Sequence, residues 1–161
     1  MTAISKTITE TIGEPGRRKL AAIEELQDAV EELQDAAEEL QDLQLTAVIM
    51  VGAENANVIP VTIQLNDGGG TALAVRAVVH AYLSDDANGD SVVATAPSGG
   101  WAIGTDGLLI PVVANKAAVL VSEADGDIDL AITEAGAKTC YLALVMPDGR
   151  LIVSNAITFA G

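Results

Sequence analysis

The block IEELQDA, VEELQDA, AEELQDL runs from Ile23 to Leu43 with a period of seven residues. No other feature constrains the chain as tightly, because an apolar stripe at this period stays in register only along a helix. With Ile23, Val30 and Ala37 at position a, position d is Leu26, Leu33 and Leu40, and position g is Ala29, Ala36 and Leu43. Glu pairs fill b and c, Gln fills e and Asp fills f. Ala, Leu, Glu and Gln are strong helix formers, and neither Gly nor Pro interrupts them. The spacing predicts a helix over residues 20–45. Pro15-Gly16 reads as a boundary upstream of it, which leaves residues 1–19 as an arm containing Arg17, Arg18 and Lys19, a candidate interface with an acidic partner.

The apolar stripe covers a, d and g, which is wider than a two-stranded seam, and the Glu–Lys pairs that orient dimers at e and g are missing. Such a face suits a trimer or higher bundle. Ile23, Leu26, Val30, Leu33, Ala37 and Leu40 are the candidate oligomerisation residues. The same stripe would equally serve to dock the helix on the chain's own domain. An isolated helix of this length is marginal in water, so either use gives it a partner it needs.

Charge follows the same division. The net charge is −15, from 23 acidic and 8 basic residues. Residues 1–19 carry +2, residues 20–45 carry −9 with no base, and residues 46–161 carry −8. This balance repels a phosphate backbone and an anionic bilayer, so neither nucleic acid nor membrane is an expected partner. No apolar run reaches the ~18 residues of a membrane-spanning helix. The first twenty residues lack the apolar core of a secretory signal, so synthesis in a cytoplasm is expected. One Cys forms no internal disulfide, and one His supports no two-His metal motif.

From Ala47 onward the period falls to two. Val61, Ile63 and Leu65 alternate with Thr62 and Gln64, a second alternating run spans Leu73 to Leu83, and a third contains Ile128, Leu130 and Ile132. Alternation of this kind predicts half-buried strands. Turn sequences separate the runs: Asn66-Asp67-Gly68, Asp86-Ala87-Asn88-Gly89, Pro97-Ser98-Gly99, Asp106-Gly107, Asp125-Gly126 and Pro147-Asp148-Gly149. Seven to nine short strands without helical segments between them predict a mainly β fold. The expected architecture is an antiparallel immunoglobulin-like β-sandwich over residues 46–161, preceded by the heptad helix. Residues Thr139 to Phe159 read as a terminal hairpin. Because only 2% of residues are aromatic, the core must be aliphatic.

Candidate chemistry is thin. Asp125, Asp127 and Asp129, and also Asp86, Asn88 and Asp90, have the alternate spacing of a calcium loop. Positions 6 and 12 fail in both: Leu130 and Gly136 in one, Ser91 and Pro97 in the other. Exposed hairpin turns explain these acids, and no cofactor or metal is expected. Cys140 with His80 is the one Cys/His pair available for nucleophilic catalysis, and Cys140 reads as a small buried hydrophobe. The protein is expected not to be an enzyme. Trp101 suits a core plug or an interface anchor equally.

The stretches VTIQLNDGGGTALAVRAVVHAYLSDDANGD, IGTDGLLI, SEADGDIDLAITEAG and YLALVMPDGRLIVSNAITFA resemble a domain of tailed-bacteriophage virion structural proteins, over about Val58 to Ala160. The heptads lie outside that resemblance. It implies a virion surface role, as a capsid decoration, head fibre or tail-associated protein, and the leading expectation is a trimeric capsid decoration (cement) protein on the outer capsid surface that bridges and stabilises neighbouring subunits. The expected partners are further copies of the chain and the major capsid protein. Two alternatives remain: a head fibre or tail fibre component, and a carbohydrate-binding adhesion module that meets a host-surface glycan.

Overall fold

The computed structural model describes residues 14–42 and 44–161, with side chains omitted for residues 38–42. The chain divides into two compact units, Met1–Gln41 and Asp42–Gly161.

Helix α1 spans Glu14–Asp42, 29 residues. It starts earlier than the sequence spacing predicted, at Glu14 rather than Leu20. Pro15 and Gly16 sit inside its first turn, where Pro lacks only an N–H that the helix would leave unpaired anyway. Arg17, Arg18 and Lys19 therefore belong to the helix rather than to an arm, and Arg17 lies 3.8 Å from Glu14. The rest of the expected arm, residues 1–13, lies outside the described residues, as do Leu43 and the side chain of Leu40.

The second unit is mainly β: two antiparallel sheets face each other across an aliphatic core, as an immunoglobulin-like sandwich requires. Ten strands build it: β1 (Thr46–Val51), β2 (Val58–Asn66), β3 (Val78–Ser84), β4 (Gly100–Ile103), β5 (Leu108–Val113), β6 (Ala117–Val121), β7 (Asp127–Thr133), β8 (Lys138–Val145), β9 (Leu151–Val153) and β10 (Ile157–Phe159). The smaller sheet has the order β1-β2-β7-β4. The larger has the order β10-β8-β3-β6-β5, with β9 also paired to β8. Every strand pair is antiparallel.

Alternation sets which side chains enter the core. Val61, Ile63 and Leu65 of β2 and Ile128, Leu130 and Ile132 of β7 are buried. Across from them lie Val79, Ala81 and Leu83 of β3, Leu120 of β6, and Cys140, Leu142 and Leu144 of β8.

Two segments depart from the sequence expectation. In the run Leu73 to Leu83 only Val78–Ser84 is a strand. Before it the backbone leaves the ladder: Ala77 N–H donates to the Ser122 hydroxyl at 3.0 Å and Ala77 C=O accepts from Ser122 N–H at 3.0 Å. Leu73 and Ala77 still pack against the core, but Val75, which a period of two would turn the same way, is exposed, so the alternation breaks in this irregular segment. The second arm of the terminal hairpin is split. Val145↔Leu151 through Ala143↔Val153 hold one register, and Cys140↔Ile157 onward are offset by one residue. Buried Ser154 occupies the gap.

Candidate functional site

Taken by itself, helix α1 has an open heptad stripe: Leu26 is 65% and Leu33 69% exposed, with Ile23 and Val30 about half exposed and Ala37 exposed as well. Charge along the helix opposes its macrodipole. Basic residues at positions 17–19 stand near the positive end, and the last turn holds no base. Like-charged i,i+4 acids add a few tenths of a kcal/mol of repulsion each. The apolar stripe is therefore the feature available to stabilise this helix.

A second apolar surface lies on the outer face of the larger sheet, and sequence reasoning missed it. Registers across five strands align Leu151 with Val145, Val145 with His80, His80 with Val119, and Val119 with Ile110. One row further along, Val78 pairs with Val121, which pairs with Leu108. Val78, Leu108 and Leu151 are exposed, and Ile110 is 48% exposed. At the other end of β3 the turn after it folds back over the sheet: the Tyr82 hydroxyl donates to Gly89 C=O. A Cβ on Gly89 would lie 3.2 Å from Val153 and 3.5 Å from Ala143, so only Gly, at φ +77°, lets the turn lie this close. The turn closes through Asp86, whose carboxylate accepts from Asn88 N–H at 2.7 Å and Asp90 N–H at 3.1 Å. That carboxylate thus serves the turn in which a calcium-like spacing was noted.

The remaining sequence candidates fall as follows. His80 and Cys140 are on opposite faces of the larger sheet. His80 is exposed on the outer face, and Cys140 is fully buried in the core, where burial pushes its thiol up to about 11. The pair cannot act as a dyad, because the sheet itself separates them. Trp101 is 6% exposed within the core cluster, so the candidate interface role is corrected to a core plug. Its position at the end of the smaller sheet, on β4 opposite Ile132, draws the ring inward.

Among the acids, the fold gathers Asp106, Asp127 and Asp129, with carboxylate oxygens within 4.8 Å of one another. Asp125 is left in the turn, where it accepts Asp127 N–H at 3.3 Å. Thr62 donates to one oxygen of Asp129 at 2.9 Å, and Thr105 donates to the other. Burial, followed by the charge of Asp129, raises the Asp127 carboxyl above the ordinary range. The two hydroxyls thus satisfy Asp129, while a buried carboxylate oxygen of Asp127 has no hydrogen-bond partner.

No protein-family model and no curated protein matches the chain. Among solved structures, a cohesin module from a Clostridium perfringens family 33 glycoside hydrolase is similar at 13% identity and a TM-score of 0.42, covering 73% of this chain and 98% of that one. A likeness at this level carries no functional argument.

Proposed function

We propose that the protein is a non-enzymatic structural component of a tailed-phage virion, a trimeric capsid decoration protein whose helix α1 joins three copies. Its β-domains would bridge neighbouring capsid subunits, and symmetry would multiply each modest contact. The observation that carries the self-association is the uncovered stripe at Ile23, Leu26, Val30 and Leu33, on a helix whose charges oppose its own dipole. Ala at a and g lets three such helices approach closely, while all nine acids of residues 20–45, at b, c and f, remain wet. The virion assignment is supported by the resemblance of Val58 to Ala160 to phage structural proteins.

Sedimentation velocity tests the oligomer. The native chain is expected to run as a trimer at micromolar concentration, and Leu26→Glu with Leu33→Glu as a monomer with its β-domain intact. A native monomer would sink the reading. Electron cryomicroscopy of assembled particles tests the location: copies at three-fold or quasi-three-fold positions of the head shell support decoration, whereas density confined to the tail would overturn it.

A further inference from the structure

We propose that Asp106, Asp127 and Asp129 hold a divalent cation, calcium by preference, where the β4–β5 turn meets strand β7. The inference depends neither on the trimer nor on the virion reading.

The fold builds this group from two distant segments. Asp127 and Asp129 are two residues apart on β7, so they share the face opposite buried Ile128 and Leu130. Asp106 arrives on the turn that leaves β4 in the smaller sheet for β5 in the larger. Backbone bonds fasten that turn to β7: Gly104 N–H donates to Asp129 C=O at 2.8 Å, and Asp129 N–H donates to Asp106 C=O at 2.9 Å. The three carboxylates are thereby held with oxygens within 4.8 Å of one another. Oxygens that share one calcium ion, each at about 2.3–2.6 Å from it, lie at most about 5 Å apart.

Two observations separate this group from an ordinary patch of surface acids. First, Oδ1 of Asp127 is buried and has no hydrogen-bond partner. An ionised oxygen withdrawn from water without a donor is costly. Burial first, and with it the charges of Asp129, Asp106 and Asp125, act against ionised Asp127, while the Ile128 amide favours it. Second, no base compensates the group. The ion pairs among the described residues are Arg17–Glu14, Arg76–Glu123 and Arg150–Asp148, and none includes these acids. A water would donate to the orphan oxygen but leave three negative charges facing one another. A divalent cation meets both needs.

The donor set selects the ion. It is all oxygen, without Cys or His, which suits calcium, magnesium or manganese rather than zinc or copper. Thr62 and Thr105 fix the two oxygens of Asp129, and each oxygen keeps a lone pair for a metal. Calcium accepts an irregular set drawn from a strand face and a turn, whereas magnesium demands a near-ideal octahedron and gives up water reluctantly. The bound ion would clamp the turn that passes between the sheets onto β7.

Titration calorimetry of the full chain, stripped with EDTA and held at neutral pH, tests this with calcium chloride as the probe. One site per chain is expected, with a Kd of about 10⁻⁴–10⁻³ M, as for calcium modules of modest ligand number. At about 10 mM calcium the sandwich should melt several degrees higher in scanning calorimetry, and magnesium at the same concentration should do less. Asp127→Asn is expected to weaken calcium at least about tenfold. It should also melt above the native chain in EDTA, where it relieves repulsion, and below it in calcium. A purely structural aspartate would give no such crossover. Asp106→Asn, in the turn, is expected to lose calcium equally and provides the test if Asp127→Asn folds poorly. Asp28→Asn with Asp35→Asn, on helix α1, should leave the affinity unchanged.

An absence of calcium binding overturns the inference. So does binding that survives both Asp127→Asn and Asp106→Asn, or binding lost in the helix variant instead, since either would place the ion among the general surface acids. Magnesium bound as tightly at the same residues keeps the cation site and overturns the preference for calcium. Neither the oligomeric state nor the location in a particle enters these outcomes.

Discussion

Glu134 ties a β-domain turn to a neighbouring strand end through one carboxylate. Its oxygens accept from Ser98 N–H at 3.0 Å, the Ser98 hydroxyl at 2.8 Å and Gly136 N–H at 2.9 Å. These donors, led by the Gly136 amide, hold the carboxyl down at about 2 against an ordinary 4.5. Asp148 behaves alike, also near 2, held first by Arg150 N–H, then by the Arg150 side chain and Gln44. A carboxyl lowered on folding contributes stability that is complete above its unfolded value and is lost as pH falls through the folded one. Both groups should therefore cost the domain stability between about pH 4.5 and pH 2. Glu134→Gln is expected to melt a few degrees below the native chain at pH 7, with the gap closing as pH falls toward 2. A gap independent of pH would refute the link. None of this was legible in the sequence, where Glu134 is one acid among 23. Its role depends on Ser98, 36 positions away.

At the scale of elements, the strands that alternate cleanly were readable. The β2 and β7 runs bury the side chains their period predicts because one face is core and the other carries Thr, Gln and Asp. Strands β3, β5 and β6 carry apolar residues on both faces, and such runs normally signal a fully covered strand. Here one of the two faces is open, and that is why the outer surface of the larger sheet stayed hidden from a sequence reading. The break between β9 and β10 was equally hidden, since Ser154-Asn155 looks like ordinary turn chemistry. In the fold the Ser154 hydroxyl accepts Leu142 N–H at 2.9 Å and donates to Asn155 C=O at 2.7 Å, replacing a missing ladder bond. Ser154→Ala would leave the Leu142 amide buried and unpaired, so a loss of about 1–3 kcal/mol is expected in denaturant unfolding. A loss within a few tenths would show that the ladder closes without the hydroxyl.

For the whole molecule, charge and apolar surface oppose each other. The chain carries −15 at neutral pH and has a pI of about 4.1. Self-repulsion keeps copies apart wherever no specific contact overrides it. Near pH 4 that repulsion vanishes, while the helix stripe and the open sheet face remain apolar. Light scattering on a pH titration is expected to peak near pH 4 and to fall on either side. A flat profile would mean that neither surface is available for contact between copies.

The lone tryptophan has a use beyond packing. Trp101 is the single indole in the chain, and helix α1, Glu14–Asp42, contains no aromatic residue. Indole fluorescence therefore follows the melting of the sandwich, whereas among the described residues the helical ellipticity comes from α1. One unlabelled sample observed at two wavelengths can thus time the melting of the helix against the unfolding of the sandwich.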